Sequence, residues 1–243
     1  MFTLFKKELN GFLDSLIGYI VIVVFLLVIG LFLWVFPLQF NIFDFGYANL
    51  DGLFMLGPFV FLFLIPAITM RSFAEEKRSG TLELLMTQPL TELQVILAKF
   101  FAGIVLVIFS LIPTLIYVYT IYRLGMPPGN LDMGSIWGSY IGLIMLGGAF
   151  VSIGIFSSSL SDNQIVSFLI AVFLCFFMYI GFEFIYTFVI SGKTGLLIQS
   201  LGLNAHYSSM SRGVIDTRDL VYFLSVMALF VILTRLKLES RKW

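Results

Sequence analysis

Long blocks of apolar residues, parted by short polar interruptions, run through most of the chain. They lie at about 17–37, 53–70, 98–122, 137–159, 165–190 and 219–236. Each approaches the roughly 20 residues that a helix rising 1.5 Å per residue needs to cross a bilayer. Lipid offers no hydrogen-bond partner to a backbone N–H or C=O, so each block is expected to be helical. The pattern predicts an all-α polytopic membrane protein with six transmembrane helices. Residues 1–16 follow a different rule. Phe2, Phe5, Leu9, Phe12, Leu13 and Leu16 recur at helical spacing on one face, with Lys6, Lys7, Asn10 and Asp14 elsewhere. That pattern predicts an amphipathic helix lying along the membrane surface, ahead of a six-helix domain over 17–243.

Between the fourth and fifth blocks only Ser161-Asp-Asn-Gln164 intervenes, enough for a tight turn. Gly125-Met-Pro-Pro-Gly-Asn130 is a cluster of turn formers. The segment 191–218 contains too few apolar residues for another span and is expected to hold a short re-entrant or interfacial helix. Gly134, Gly138 and Gly142 place small residues on one helix face, which suits close packing inside the bundle or a seam with a second copy. Trp34, Trp137 and Tyr140 are candidate anchors at the membrane–water interface.

Composition sharpens this picture. The chain is 60% hydrophobic and 12% charged, against about 25% charged residues in soluble domains. Lys6 and Lys7 precede an apolar run from Ile17 to Phe36, longer than the core of a cleavable signal peptide. The Lys and Arg residues sort unevenly. With the N-terminus inside, ten fall on the cytoplasmic side (Lys6, Lys7, Arg71, Lys77, Arg78, Lys99, Arg235, Lys237, Arg241, Lys242). Four fall outside: Arg123, Lys193, Arg212 and Arg218. The bias puts both termini and the 71–97 loop in the cytoplasm. A single cysteine, Cys175, and a single histidine, His206, exclude a disulfide framework and a cysteine metal site. Cys175 reads as a small buried hydrophobe.

The 71–97 loop carries the most chemistry. Ser72-Phe-Ala-Glu75 and Thr91-Glu-Leu-Gln94 both match capping boxes, each opening a helix. Gly80 breaks the first helix, Thr81–Thr87 has good helix formers, and Pro89 stops that segment. The expected order is helix, break, short helix, break, helix. Leu82, Leu84, Leu85 and Met86 are too apolar for a loop left in water. They call for a partner, whether the chain's own bundle, the lipid surface or another subunit.

Arg71-Ser-Phe-Ala-Glu-Glu-Lys-Arg-Ser-Gly-Thr-Leu-Glu-Leu-Leu-Met-Thr-Gln-Pro89 resembles the cytoplasmic loop of ABC-2 type permeases. That resemblance implies a coupling helix that docks on a separate cytoplasmic ABC ATPase. Glu75, Glu76, Gly80, Thr81, Leu82, Glu83 and Leu84 are then its docking residues. The glutamates would meet basic groups of the ATPase, Gly80 permits the bend, and the leucines enter a groove. The segment His206–Phe223 and the ending Leu238–Trp243 resemble the gliding-motility-associated permease subunit of this superfamily (GldF type). The resemblance implies a bacterial inner-membrane protein paired with a second permease subunit, as a hetero- or homodimer, and linked to gliding motility.

Gly192-Lys193-Thr194 ends like a phosphate-binding loop, but position 187, where that motif needs glycine, is Thr187. ATP hydrolysis is therefore expected in another chain, and the sequence calls for no cofactor, metal or nucleic acid. Glu183 is the one acid inside an apolar block and so a candidate functional group. Two alternatives remain open: a secondary transporter, and a non-transporting anchor of an ATPase-driven envelope machine.

Overall fold

A computed structural model describes residues 1–44, 48–87, 89–188 and 192–240. Arg241, Lys242 and the end of the Leu238–Trp243 segment lie outside them, as does Gln88 of the loop motif. All regular structure among the described residues is helical.

Helix α1 (Phe2–Leu13) meets α2 (Leu16–Trp34) at a bend of 61°, measured from Gly18. Ser15 makes the corner. Its Oγ accepts from the Gly18 N–H and donates to the Phe12 carbonyl, capping an N-terminus whose first amides lack partners. The apolar face of α1 is turned inward, with Leu4 buried and Phe5, Leu9, Phe12 and Leu13 packed against the core.

Five further apolar stretches are long enough to cross a membrane, and α2 joined to α1 makes a sixth, bent one. The chain is a multi-pass membrane protein. Helix α3 (Asp51–Thr69) is followed directly by the short polar α4 (Arg71–Arg78) and α5 (Thr81–Met86). Helix α6 (Glu92–Leu111) opens on the expected capping box, Thr91 with Gln94. The third stretch is not one straight rod. Pro113 can offer no N–H, and a 3₁₀ turn over Ile112–Thr114 separates α6 from α7 (Leu115–Leu124).

Helix α8 (Met133–Leu160) is the axis of the fold. Of its most apolar window 78% is buried, against 22% for the stretch from Gln164 to Phe188. Helices α3, α6 and the last helix, α13 (Thr217–Glu239), pack around it. Contact is close enough that a Cβ on Gly154 would lie 1.9 Å from Thr69 Oγ1. Asn163 caps α9 (Gln164–Phe176), so the turn at 161–164 is as tight as its four residues imply. A π turn at Phe177–Gly181 then leads into α10 (Phe182–Phe188).

The 191–218 segment holds two helices rather than one, α11 (Gly192–Gln199) and α12 (Leu203–Met210). Leu203, Tyr207 and Met210 are buried against the bundle. The small-residue stripe of α8 meets this cap. A Cβ on Gly138 would lie 2.8 Å from Gly213 Cα, and one on Gly142 3.1 Å from Met210 Cβ. These two glycines serve packing within the chain. Tyr140 is no interface anchor. It is buried, its hydroxyl 2.8 Å from Thr114 Oγ1 and its ring edge-on to Phe54. A buried tyrosine needs such a partner for its hydroxyl. Trp137 is half exposed.

Candidate functional site: the α4–α5 loop and the opposite vestibule

Helix α4 starts without a cap of its own. Ser72 and Glu75 do not form the expected capping box, because Met70 is the N-cap residue and Ser72 sits inside the first turn. The cap comes from α8, 85 residues away. Ser158 Oγ accepts from the Phe73 N–H (2.9 Å) and the Ala74 N–H (3.0 Å) and donates to the Met70 carbonyl (2.9 Å). Ser158 is fully buried, so these bonds satisfy backbone groups that water cannot reach. One residue on, the Ser159 carbonyl accepts from Lys77 Nζ.

A second fastening is ionic. Lys99, 4% exposed and two turns into α6, lies 2.7 Å from Glu76 Oε1 and 3.0 Å from Glu8 Oε1. Its ammonium is also 5.2 Å from the centre of the Phe73 ring. One lysine thus joins α1, α4 and α6. Two carboxylates share it, and Glu76 Oε2 remains buried without a hydrogen-bond partner.

Against this frame the seven residues marked by the loop motif separate into two sets. Leu82 is 1% exposed and belongs to the chain's own core, and Glu76 turns inward to Lys99. Glu75, Gly80, Thr81, Glu83 and Leu84 are exposed, Leu84 at 67%. Gly80 has φ +71°, a left-handed conformation open to glycine at little cost, and it turns α4 into α5. The result is a short helix anchored by one leucine and presenting acids beside an apolar side chain. Ser158 and Lys99 were absent from the motif. Their only traces in the sequence are the three consecutive hydroxyls of Ser157–Ser159 ending an apolar span, and a lysine at the start of another.

The opposite end of the bundle holds a cavity of about 700 Å³ among α3, α8, α10 and α12. Glu183 lines it, exposed, accepting from Asn204 Nδ2 at 2.7 Å. Pro58 has no N–H to give the Phe54 carbonyl one turn back, and the Tyr207 hydroxyl donates to that oxygen instead, at 2.6 Å. Burial pushes the Tyr207 phenol well above its usual range, with Tyr179 adding to the shift, so it remains a donor. Within the His206–Phe223 segment, His206 Nδ1 is 2.7 Å from Asp219 and its ring stacks on Tyr222. Gly192 and Thr194 open α11, and the nearest described residues before them, Phe182–Phe188, are helical. That is not the strand–loop–helix context of a nucleotide site.

A sequence profile described as ABC-2 family transporter protein matches residues 38–236. That match includes the whole α4–α5 loop and every span after the first, save the last three residues of α13. No curated protein matches the chain.

Proposed function

The chain belongs to the ABC-2 family of transporter proteins and is a membrane permease subunit of an ABC transporter; we propose that its α4–α5 loop docks a separate cytoplasmic ABC ATPase. One observation carries the reading. The loop combines an outward face, Glu75, Thr81, Glu83 and Leu84, with internal fastenings at Ser158, Lys99 and Leu82. A segment meant only to connect two spans has no need of a buried cap and a buried ion pair. In this reading Glu75 and Glu83 meet basic groups of the ATPase and Leu84 enters its groove. Gly80 sets the bend, while Glu76 and Leu82 hold the platform rather than touch the partner. ATP turnover in the partner displaces the loop and so shifts the spans.

Charge reversal tests this directly. Glu83→Lys should release the ATPase from the purified complex while the permease elutes unchanged on gel filtration. Co-purification at full stoichiometry would end the docking role.

The same reading puts both termini and the loop in the cytoplasm of a bacterium, with the chain in its inner membrane. The Lys and Arg bias supports that orientation. A second permease subunit completes the transporter, identical or different. Assignment to the gliding-motility branch rests on the likeness of His206–Phe223. Capturing the tagged chain from its native membrane and identifying the ATPase and permease that accompany it tests this. A partner set unconnected with motility would remove the assignment.

A further inference from the structure

Helix α3 presents one continuous stripe, Asp51, Met55, Phe59, Phe63 and Ala67, spaced by four and so winding about 40° per step around the helix. The first three line the 700 Å³ vestibule. The last three line a second cavity of about 570 Å³ between α2, α3 and α9, walled almost wholly by apolar side chains. Phe59 belongs to both, so its ring is the step from one to the other. The apolar groove is open at its flank, where Ile20, Val24, Phe59 and Phe63 are all 45% exposed or more.

The vestibule end is different chemistry. Asp51, Glu183 and Arg212 line it, and among the described residues no ion pair neutralises any of them. Tyr179, carried on the π turn, and Tyr207 add aromatic rings to its wall, and aromatic rings attract an ammonium group. Interrupted α-helical geometry of this kind recurs at functional sites.

We propose that vestibule and groove form one binding site for a zwitterionic phospholipid. The phosphate pairs with Arg212, the ammonium lies between Glu183 and Asp51 against the tyrosine rings, and one acyl chain runs past Phe59 along the groove. Dimensions agree. From Met55 to Ala67 the stripe is about 18 Å long, close to the roughly 15 Å hydrocarbon depth of one leaflet. An uncharged ligand would use none of the three charges on the rim, and an anionic one would face two carboxylates.

The inference is independent of ATPase docking and is tested on the purified chain alone, so its failure leaves the docking experiment untouched. The probe is lysophosphatidylethanolamine, with lysophosphatidylglycerol as the anionic counterpart and free phosphoethanolamine as the head without a tail. The expected result is roughly tenfold tighter binding of the ethanolamine lipid than of the glycerol lipid. Glu183→Gln should abolish that preference, whereas Arg212→Gln removes the partner of a phosphate that both lipids carry and should weaken both while leaving the preference. Both side chains are exposed, and the melting temperature shows whether the variants stay folded. Phe59→Ala should weaken both lipids and leave their ratio unchanged. Five results would each overturn the site: equal binding of the two lipids by the unmodified chain, a preference that survives Glu183→Gln, an Arg212→Gln chain that binds both lipids as before, free phosphoethanolamine binding as tightly as the lipid, and a Phe59→Ala chain that changes oligomeric state while binding lipid normally, which would make the groove a seam between copies.

Discussion

Ser158 shows how much a single hydroxyl can hold. It serves two amides and one carbonyl at the α3–α4 junction. Ser158→Ala should therefore cost about 2 kcal/mol, the upper range for a lost cap, read as a lower melting temperature in detergent. Lys99 carries a different risk. Lys99→Met strips the counter-charge from Glu8 and Glu76 at once and should destabilise by about 3 kcal/mol. Adding Glu8→Gln and Glu76→Gln should recover most of that loss, since a neutral core can replace a buried ion cluster. Recovery absent from the melting curve would mean that Lys99 acts through its packing on Phe73 rather than through its charge.

Helices break here for stated reasons, and the breaks are matched by partners elsewhere. Pro58 frees the Phe54 carbonyl, and Tyr207 of the short α12 takes it up. The two substitutions should consequently couple. Tyr207→Phe alone leaves a buried carbonyl unpaired and should cost about 1–2 kcal/mol. In a Pro58→Ala background the restored helical N–H supplies the bond, and the same change should cost much less. Additive melting shifts would sever the link between the kink and the cap. The spans themselves were legible in the sequence, because unbroken runs of apolar residues state what lipid requires of them. So were the Thr91–Gln94 cap and the turn at 161–164, which depend only on neighbours along the chain. The Ser72–Glu75 cap was misread for the opposite reason. Its local pattern lost to a hydroxyl 85 residues distant, and no local rule reports such a rival. Tyr140 was misplaced likewise, since an aromatic near a span end looks the same whether it faces headgroups or Thr114.

Over the whole molecule, polar fastenings gather at one end of the bundle and an unneutralised cavity at the other. The residues of the loop motif were recognisable as a group. Their division into an outward set and an inward set was not, because it depends on which side of α5 the Leu82 side chain turns. Helix α8 spans the distance between the two ends. It caps α4 near its C-terminus through Ser158 and carries α12 near its N-terminus through Gly138 and Gly142. Its 28 residues make a rod about 42 Å long. A rod works as a lever arm. A tilt of only about five degrees at the loop end sweeps the other end through roughly 4 Å, the width of an acyl chain. Seen as a linkage, Ser158 would be the pin of a crank, carrying any stroke of the loop to the vestibule.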